Sequence, residues 1–319
     1  MMRSQLNSLH NQSGLSLIEI MVAMTLSLFL LAGVGILYIN TFTIQRDSNQ
    51  RVDLNDNSRT ALTVISKHLR SAGYGNGLGI GSLDTNGLAI NPAGSDCDNL
   101  GAVYNSLTPF LAGRSSADIL GCAVGQVGNY TANAGSPSDW ILFKGAVGPA
   151  LEFDPANGVN QLQVNTNYIF SNTQQGQLFR GTIPPATPED EIIREYQFSL
   201  FYLFNNNLQL TRLVNNSLVT DTVANNVESM RVVLGFDDNE DGQVNRYTGV
   251  PANTQNWTAD QWNNVISATI YILTTSDNDP SYQDTRSYLM GDITVAAPND
   301  NRHRILASTT VYLYNQAYR

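Results

Sequence analysis

The side chains best suited to chemistry lie in a short acidic stretch near residue 240. Asp237, Asn239 and Asp241 occupy every second position there, and Gly242 follows at once. In a calcium loop of the EF-hand type, alternate oxygen ligands converge on one ion, and a glycine at the sixth position permits the sharp turn. The sequence therefore predicts a calcium site with the ligands Asp237, Asn239, Asp241, Gln243 and Asn245.

The match to a calcium loop is incomplete. Its twelfth position is Thr248, where such loops have a bidentate glutamate. A remote carboxylate, Asp277 or Asp279, would have to complete the ligand shell. The alternative interpretation is an acidic β-turn between two strands, because Asp-Gly is a common turn pair.

The remaining titratable residues give little support to catalysis. The three histidines, His10, His68 and His303, each stand alone, and the sequence has no G-x-S-x-G, phosphate-loop or metalloprotease motif. The 319-residue chain has a net charge of −10, whereas nonspecific DNA or RNA binding needs patches of Lys and Arg. We expect neither an enzyme nor a nucleic-acid partner.

Two cysteines, Cys97 and Cys122, are the only ones in the chain. In an oxidising compartment an isolated pair forms a disulfide, which here would close a loop of about 25 residues and contribute about 3 kcal/mol. The alternative is two separate buried thiols.

An apolar run from Leu15 to about Ile39 contains one charged residue, Glu19. About 25 apolar residues at ~1.5 Å each exceed the ~30 Å of a bilayer core, so the run predicts one membrane-spanning helix. A cleaved secretory signal is the first alternative, but its apolar stretch is about half as long. A plain anchor with an incidental acid is the second, although a carboxylate in hydrocarbon is costly.

The start of this run, Gly14-Leu15-Ser16-Leu17-Ile18-Glu19, resembles the processing signal of type IV pilins and type II secretion pseudopilins. The resemblance implies that a prepilin peptidase cleaves after Gly14 and that the new amino terminus on Leu15 is methylated. It also implies that Glu19 pairs with the terminal charge of a neighbouring subunit in a fibre. The sequence departs from the common pattern in having Leu15 where most members have Phe, and few basic residues in the leader.

The helix is expected to continue beyond the membrane. Leu62, Ile65, Leu69 and Ala72 share one helical face, and Gly73 suits the position just past the last turn. These residues predict one helix from Leu15 to Ala72. The segment Leu69-Arg70-Ser71-Ala72-Gly73-Tyr74 resembles the PilW group of minor pilins and is similar to the J-type pseudopilin of type II secretion.

The expected fold class is α+β and pilin-like, with the long helix packed on an antiparallel sheet. Alternating apolar residues predict a hairpin over residues 196–214 and further strands over residues 230–236, 266–272 and 305–313. The expected organisation is a leader at 1–14, a transmembrane and fibre-core helix at 15–44, its amphipathic continuation at 45–73, a loop-rich variable region with short strands at 74–193 and an antiparallel sheet head at 194–319.

The resemblance implies a minor pilin of a type IV pilus that acts in a priming or tip complex. Its partners would be other minor and major pilins, the prepilin peptidase and the inner-membrane assembly platform. The chain would cross the inner membrane once, with its C-terminal domain in the periplasm, before entering the pilus. Alternatives are a J-like pseudopilin of type II secretion and a tip adhesin that binds through residues 75–190.

Overall fold

The computed structural model describes residues 16–75, 77–84, 109–114, 138–215, 217–251, 257 and 259–317. The chain divides into two compact units, Met1–Arg51 and Val52–Arg319. The first contains the start of the long helix, and the second contains the rest of this helix and all the strands among the described residues. The cysteines Cys97 and Cys122 lie outside the described residues, so their pairing stays a prediction.

The long helix α1 runs from Leu17 to Ser71. This confirms the single continuous helix expected from the absence of proline before residue 92. Its apolar part also contains hydroxyl side chains, which hydrogen-bond to carbonyl oxygens one turn earlier. Ser27 Oγ donates to the carbonyl of Ala23 over 2.7 Å and Thr41 Oγ1 to that of Leu37 over 2.8 Å, so these groups do not need water.

The second part of α1 packs on the head along one stripe. Its buried residues are Leu54, Ser58, Ala61, Ile65 and Leu69. Ile65 and Leu69 of the predicted face are fully buried, and Leu62 is half-buried and packs against the same core. The buried stripe begins at Leu54, about two turns before Leu62, the first residue of the predicted face.

The strands among the described residues are numbered in chain order. They are β1 (Phe110–Arg114), β2 (Asp139–Leu151), β3 (Phe153–Asp154), β4 (Val159–Asn160), β5 (Asn167–Ser171), β6 (Gly176–Arg180), β7 (Ile192–Phe204), β8 (Asn207–Val214), β9 (Ser217–Ala224), β10 (Val227–Phe236), β11 (Arg246–Gly249), β12 (Val265–Asn278), β13 (Tyr288–Met290), β14 (Ile293–Val295) and β15 (Arg302–Tyr312). A short helix, α2 (Ala259–Asn263), precedes β12, and another, α3 (Tyr314–Ala317), follows β15.

The strands form two main antiparallel sheets. The larger has seven strands in the order β1-β2-β7-β5-β6, with β8 pairing β7 and β9 pairing β8. The smaller has the order β11-β10-β12-β15. Two-stranded ribbons β3-β4 and β13-β14 complete the head.

The predicted hairpin at residues 196–214 is confirmed as β7 and β8. Phe204 pairs with Asn207, and the two turn residues, Asn205 and Asn206, have φ of 50° and 59°. A two-residue turn that matches the twist of its strands needs positive φ at both positions, and asparagine tolerates this conformation. The three remaining predicted strands lie in β10, β12 and β15.

The prediction of one sheet over residues 194–319 was wrong. The strands β7, β8 and β9 belong to the larger sheet, together with β1, β2, β5 and β6 from the region expected to be loop-rich. The strand β2 is 13 residues long, and its first eight residues are all buried. Both of its faces are therefore covered, so its sequence lacks the alternation of apolar and polar residues that would have revealed it.

The main core joins α1 to both sheets. It holds Ala61 and Ile65 of the helix together with Phe143 and Phe201 of the larger sheet. Residues of the smaller sheet, including Ile270, belong to the same cluster. The opposite face of the larger sheet has a second core, which contains Trp140, Tyr168, Phe198 and Leu200.

Arg231 on β10 connects the two sheets through an ion pair with Asp139. Its side chain is 2% exposed, and Nη1 lies 2.9 Å from Oδ2 of Asp139, the first residue of β2. Its Nε and Nη2 donate to both carboxylate oxygens of Asp292, between β13 and β14, over 2.8 and 2.7 Å. Burial raises the pKa of Asp139 to about 7, and the guanidinium of Arg231 opposes this shift.

Replacing Arg231 with Met should destabilise the head strongly, because the buried carboxylate of Asp139 loses its closest cation and keeps only the N–H of Val232 and Arg114 at 4.0 Å. We expect a loss of about 3–5 kcal/mol of unfolding free energy. The matched control is Arg212→Met, which breaks the exposed pair between Arg212 and Asp221 and should cost less than about 1 kcal/mol. Urea denaturation of the detergent-solubilised protein measures both, and equal losses would contradict the assignment.

The side chain of His68, a residue of α1, lies against the larger sheet. Its Nδ1 is 3.1 Å from Ser199 Oγ, and its ring meets Phe201 edge-on at a centroid distance of 5.3 Å. The pKa of His68 is lowered from 6.5 to about 4, first because burial disfavours the imidazolium and second because Lys67 and Arg212 are nearby. The neutral ring is therefore the form that fits this interface.

Acidification should weaken the packing of α1 on the head. The neutral form of His68 contributes fully above pH 6.5, and this contribution falls as the pH drops toward 4, since the unfolded chain takes up the proton first. The loss attributable to His68 at pH 4.5 is on the order of 2 kcal/mol. Denaturation at pH 7.5 and 4.5 should show a smaller pH dependence for His68→Gln than for the wild type. Identical pH dependence in both proteins would exclude this role.

Candidate functional site

Glu19 lies in the first turn of α1 and bonds to its own chain. Its Oε2 accepts a hydrogen bond from the backbone N–H of Ser16 over 3.2 Å, and Ser16 Oγ accepts one from the N–H of Ile18 over 3.3 Å. Together these bonds resemble a capping box, the reciprocal Ser-x-x-Glu arrangement that satisfies free N–H groups at a helix start. The spacing of Ser16 and Glu19 in the sequence is the signature of this motif, although it was not among the features predicted above.

The apolar part of α1 has no cover within its own chain. Among the described residues it is the one helix long and apolar enough to cross a membrane: an 18-residue window has a mean hydropathy of 2.5 and no buried residue. Phe29, for example, is 78% exposed. Gly33 and Gly35 have open space where a Cβ would be, so another helix can approach closely there.

The expected processing residues, Gly14 and Leu15, lie outside the described residues. Cleavage and methylation there therefore remain predictions. Glu19 is described, and its place in the first turn puts the carboxylate beside the helix start. A carboxylate in this position is favoured by the partial positive charge of the free N–H groups.

The acidic stretch forms the connection between β10 and β11 and is closed by its own hydrogen bonds. Asp237 is buried, with Oδ2 accepting the N–H of Gly242 over 2.7 Å and Oδ1 that of Asp241 over 3.2 Å. Asp241 Oδ1 accepts the N–H of Gln243 over 2.8 Å. Asn245 Oδ1 accepts the N–H of Asp238 over 2.7 Å.

Other contacts of this loop also involve protein groups. Asn239 Nδ2 donates to Asp241 Oδ2 over 3.1 Å, and Tyr312 donates its hydroxyl to the carbonyl of Gly242. One proposed remote ligand, Asp279, accepts hydrogen bonds from Ser281 and lies 3.3 Å from His303 Nε2. Within the described residues, no three or more His, Cys, Asp or Glu side chains are grouped so that they could hold a metal ion. The turn interpretation explains these bonds, and calcium stays a prediction.

Two family models match this chain, one near its N-terminus and one in its head. Residues 9–35 match the model of the prokaryotic N-terminal methylation motif. Residues 202–315 match the model of the type IV pilus-assembly protein W, PilW, and include the whole smaller sheet. Together the two matches support a PilW-like type IV minor pilin. Its N-terminal motif and its head thus agree with one another.

Two further comparisons concern individual proteins. No curated protein matches its sequence. A solved structure, a type IV-like pilin from Thermus thermophilus, aligns over 82% of this chain and 96% of its own chain, with 12% identity and a TM-score of 0.37. The assignment rests on the two family models.

Isothermal titration calorimetry with Ca²⁺ on the EDTA-treated minor pilin tests the predicted metal site. If the loop binds calcium, the wild type should release or absorb heat and melt at a higher temperature with Ca²⁺ than with EDTA. Asp241→Asn should weaken both effects, whereas Asp221→Asn, an exposed acid on β9, should leave them unchanged. Absence of heat and of any melting shift would leave the β-turn as the only role of this loop.

Proposed function

We propose that this minor pilin works in the priming or tip complex that starts assembly of a type IV pilus. It acts there by packing and not by catalysis. The observation that carries the proposal is the uncovered apolar half of α1 with its single carboxylate at the start. Such a helix needs lipid around it first and other apolar helices around it later.

In this proposal the lone carboxylate of Glu19 sets the axial register between neighbouring helices. The prepilin peptidase cleaves after Gly14, the new terminus on Leu15 is methylated, and Glu19 pairs with the terminal charge of a neighbouring subunit. An unpaired charge in an apolar bundle is penalised, so only one axial offset between helices is favourable. The bond between Glu19 and Ser16 lowers the cost of holding the carboxylate in the membrane before assembly.

The location and partners follow from the same helix. We place the chain in the inner membrane as a single-pass protein with its C-terminal domain in the periplasm, from which it enters the pilus. The proposed partners are other minor and major pilins, the prepilin peptidase and the inner-membrane assembly platform. An oxidising periplasm would allow the disulfide between Cys97 and Cys122.

The match of residues 202–315 to a pilus-assembly protein favours a pilus over a type II secretion pseudopilus. The two assemblies would use this chain through the same helix packing. They differ in the defect that deletion of the gene causes. Deletion should reduce surface pili in the proposed role, whereas a pseudopilin would instead be needed for secretion of exported enzymes.

The substitution Glu19→Ala should reduce incorporation into fibres and leave cleavage and methylation unchanged. We expect about tenfold less of the variant in sheared fibres, a ratio that corresponds to a loss of ~1.4 kcal/mol per subunit contact. The matched control is Glu152→Ala, an exposed acid of the head, which should enter fibres normally. Immunoblots of sheared fibres measure incorporation, and intact mass of the extracted protein reports cleavage and methylation.

Two results would overturn this account of α1. One is incorporation of Glu19→Ala at the wild-type level. The other is a mature protein that begins at a residue other than Leu15. A normal mass with lost incorporation is the outcome that the proposal requires.

A further inference from the structure

In the part of the chain that the structure describes, the smaller sheet ends in an edge strand with one side unpaired. Among the described strands β15 pairs with β12 alone. The N–H of Leu313 donates to Ile266 of β12 over 2.7 Å, and in an antiparallel pair the residues alternate between facing the partner and facing away. The N–H and C=O groups of Leu306, Ser308 and Thr310 therefore point away from β12 and are available to another strand.

The chemistry of this edge differs from that of the other sheet. Residues 305–310 of β15 are Ile-Leu-Ala-Ser-Thr-Thr, without charge or proline. Proteins usually protect free edges with charges, prolines or bulges. The edge strand β9 has such a charge in Asp221, whose side chain is half-exposed. The unprotected part of β15 is thus suited to pairing with a further strand.

A groove of about 590 Å³ runs between this edge and α1. Its lining residues are Arg59, Leu62, Thr63, Ser66, Lys67, Arg70, Ser308 and Thr309. Three of them are cations and none is an acid. Within the described residues, Arg59, Lys67 and Arg70 make no ion pair. The groove is therefore positive on a chain whose net charge is −10.

We propose that the groove between α1 and β15 binds an extended, acidic segment of a neighbouring pilin subunit's head. The segment adds a strand to β15 through main-chain hydrogen bonds, and its carboxylates meet Arg59, Lys67 and Arg70. Main-chain pairing supplies affinity in this binding mode, and the flanking cations select the partner. The inference rests on the proposed function, since it takes the partner to be another pilin.

The two components of the interaction are separately testable by substitution. Ser308→Pro removes an N–H that points away from β12 and leaves the pairing with β12 intact, and Ser308→Ala is its control. Arg59→Glu reverses one cation of the groove. Its control is Arg51→Glu, which lies on the same helix outside the groove.

Photocrosslinking in living cells measures occupancy of the groove. A photoreactive residue replaces Thr63, which lines the groove, or Thr60, an exposed control on the same helix. We expect the probe at 63 to capture a different pilin subunit, with the crosslink mapped by mass spectrometry to a segment rich in Asp and Glu. The probe at 60 should capture it much less. Ser308→Pro and Arg59→Glu should each reduce the product about tenfold, and both control variants should retain it.

Several outcomes would overturn the inference. They are no protein captured from position 63, capture of a second copy of this chain, capture of a segment without acids, or a product that survives both Ser308→Pro and Arg59→Glu. Failure of the proposed function is distinguishable, because deletion of the gene would then leave the number of surface pili unchanged. If the wild type is in fibres and position 63 still captures no pilin, only the groove assignment fails. Circular dichroism melts of each variant confirm that the head is folded.

Discussion

Burial of one stripe of α1 against two sheets is the interaction on which the head depends. Ala61, Ile65 and Leu69 are fully buried in a core that takes side chains from both sheets. The same helix has no buried residue in its most apolar window. Its two parts therefore have opposite needs. The second part is satisfied by its own chain, whereas the first can be satisfied only by lipid or by other helices.

Charged side chains in both units form hydrogen bonds with nearby groups of the protein. At the start of α1, the carboxylate of Glu19 accepts the N–H of Ser16. In the head, the buried guanidinium of Arg231 bonds to Asp139 and Asp292 and so holds β2, β10 and the β13-β14 ribbon together. Removing one member of such a group leaves a buried charge, which is why these contacts are more important for folding than exposed pairs.

Much of the fold could be predicted from local patterns, and the failures have a common cause. The helix, the asparagine turn between β7 and β8 and the strands of the smaller sheet follow from periodicity and turn preference. The region of β2 was expected to hold only short strands, and the full length of β2 was not predicted because burial on both faces removes alternation. For the acidic loop, which has the spacing of calcium ligands, the structure adds that Asp237 and Asp241 accept N–H groups of the loop itself, and calcium binding stays a prediction.

The sequence by itself determined the length of the apolar run, the position of Glu19 within it and the Ser-x-x-Glu spacing at the helix start. These depend on neighbours along the chain, so no long-range contact was needed to read them. Only the tertiary structure decided that α1 covers two sheets, that Arg231 joins them and that the uncharged edge of β15 borders a groove with three cations. Such features bring together residues far apart in sequence, and local periodicity contains no information about that pairing.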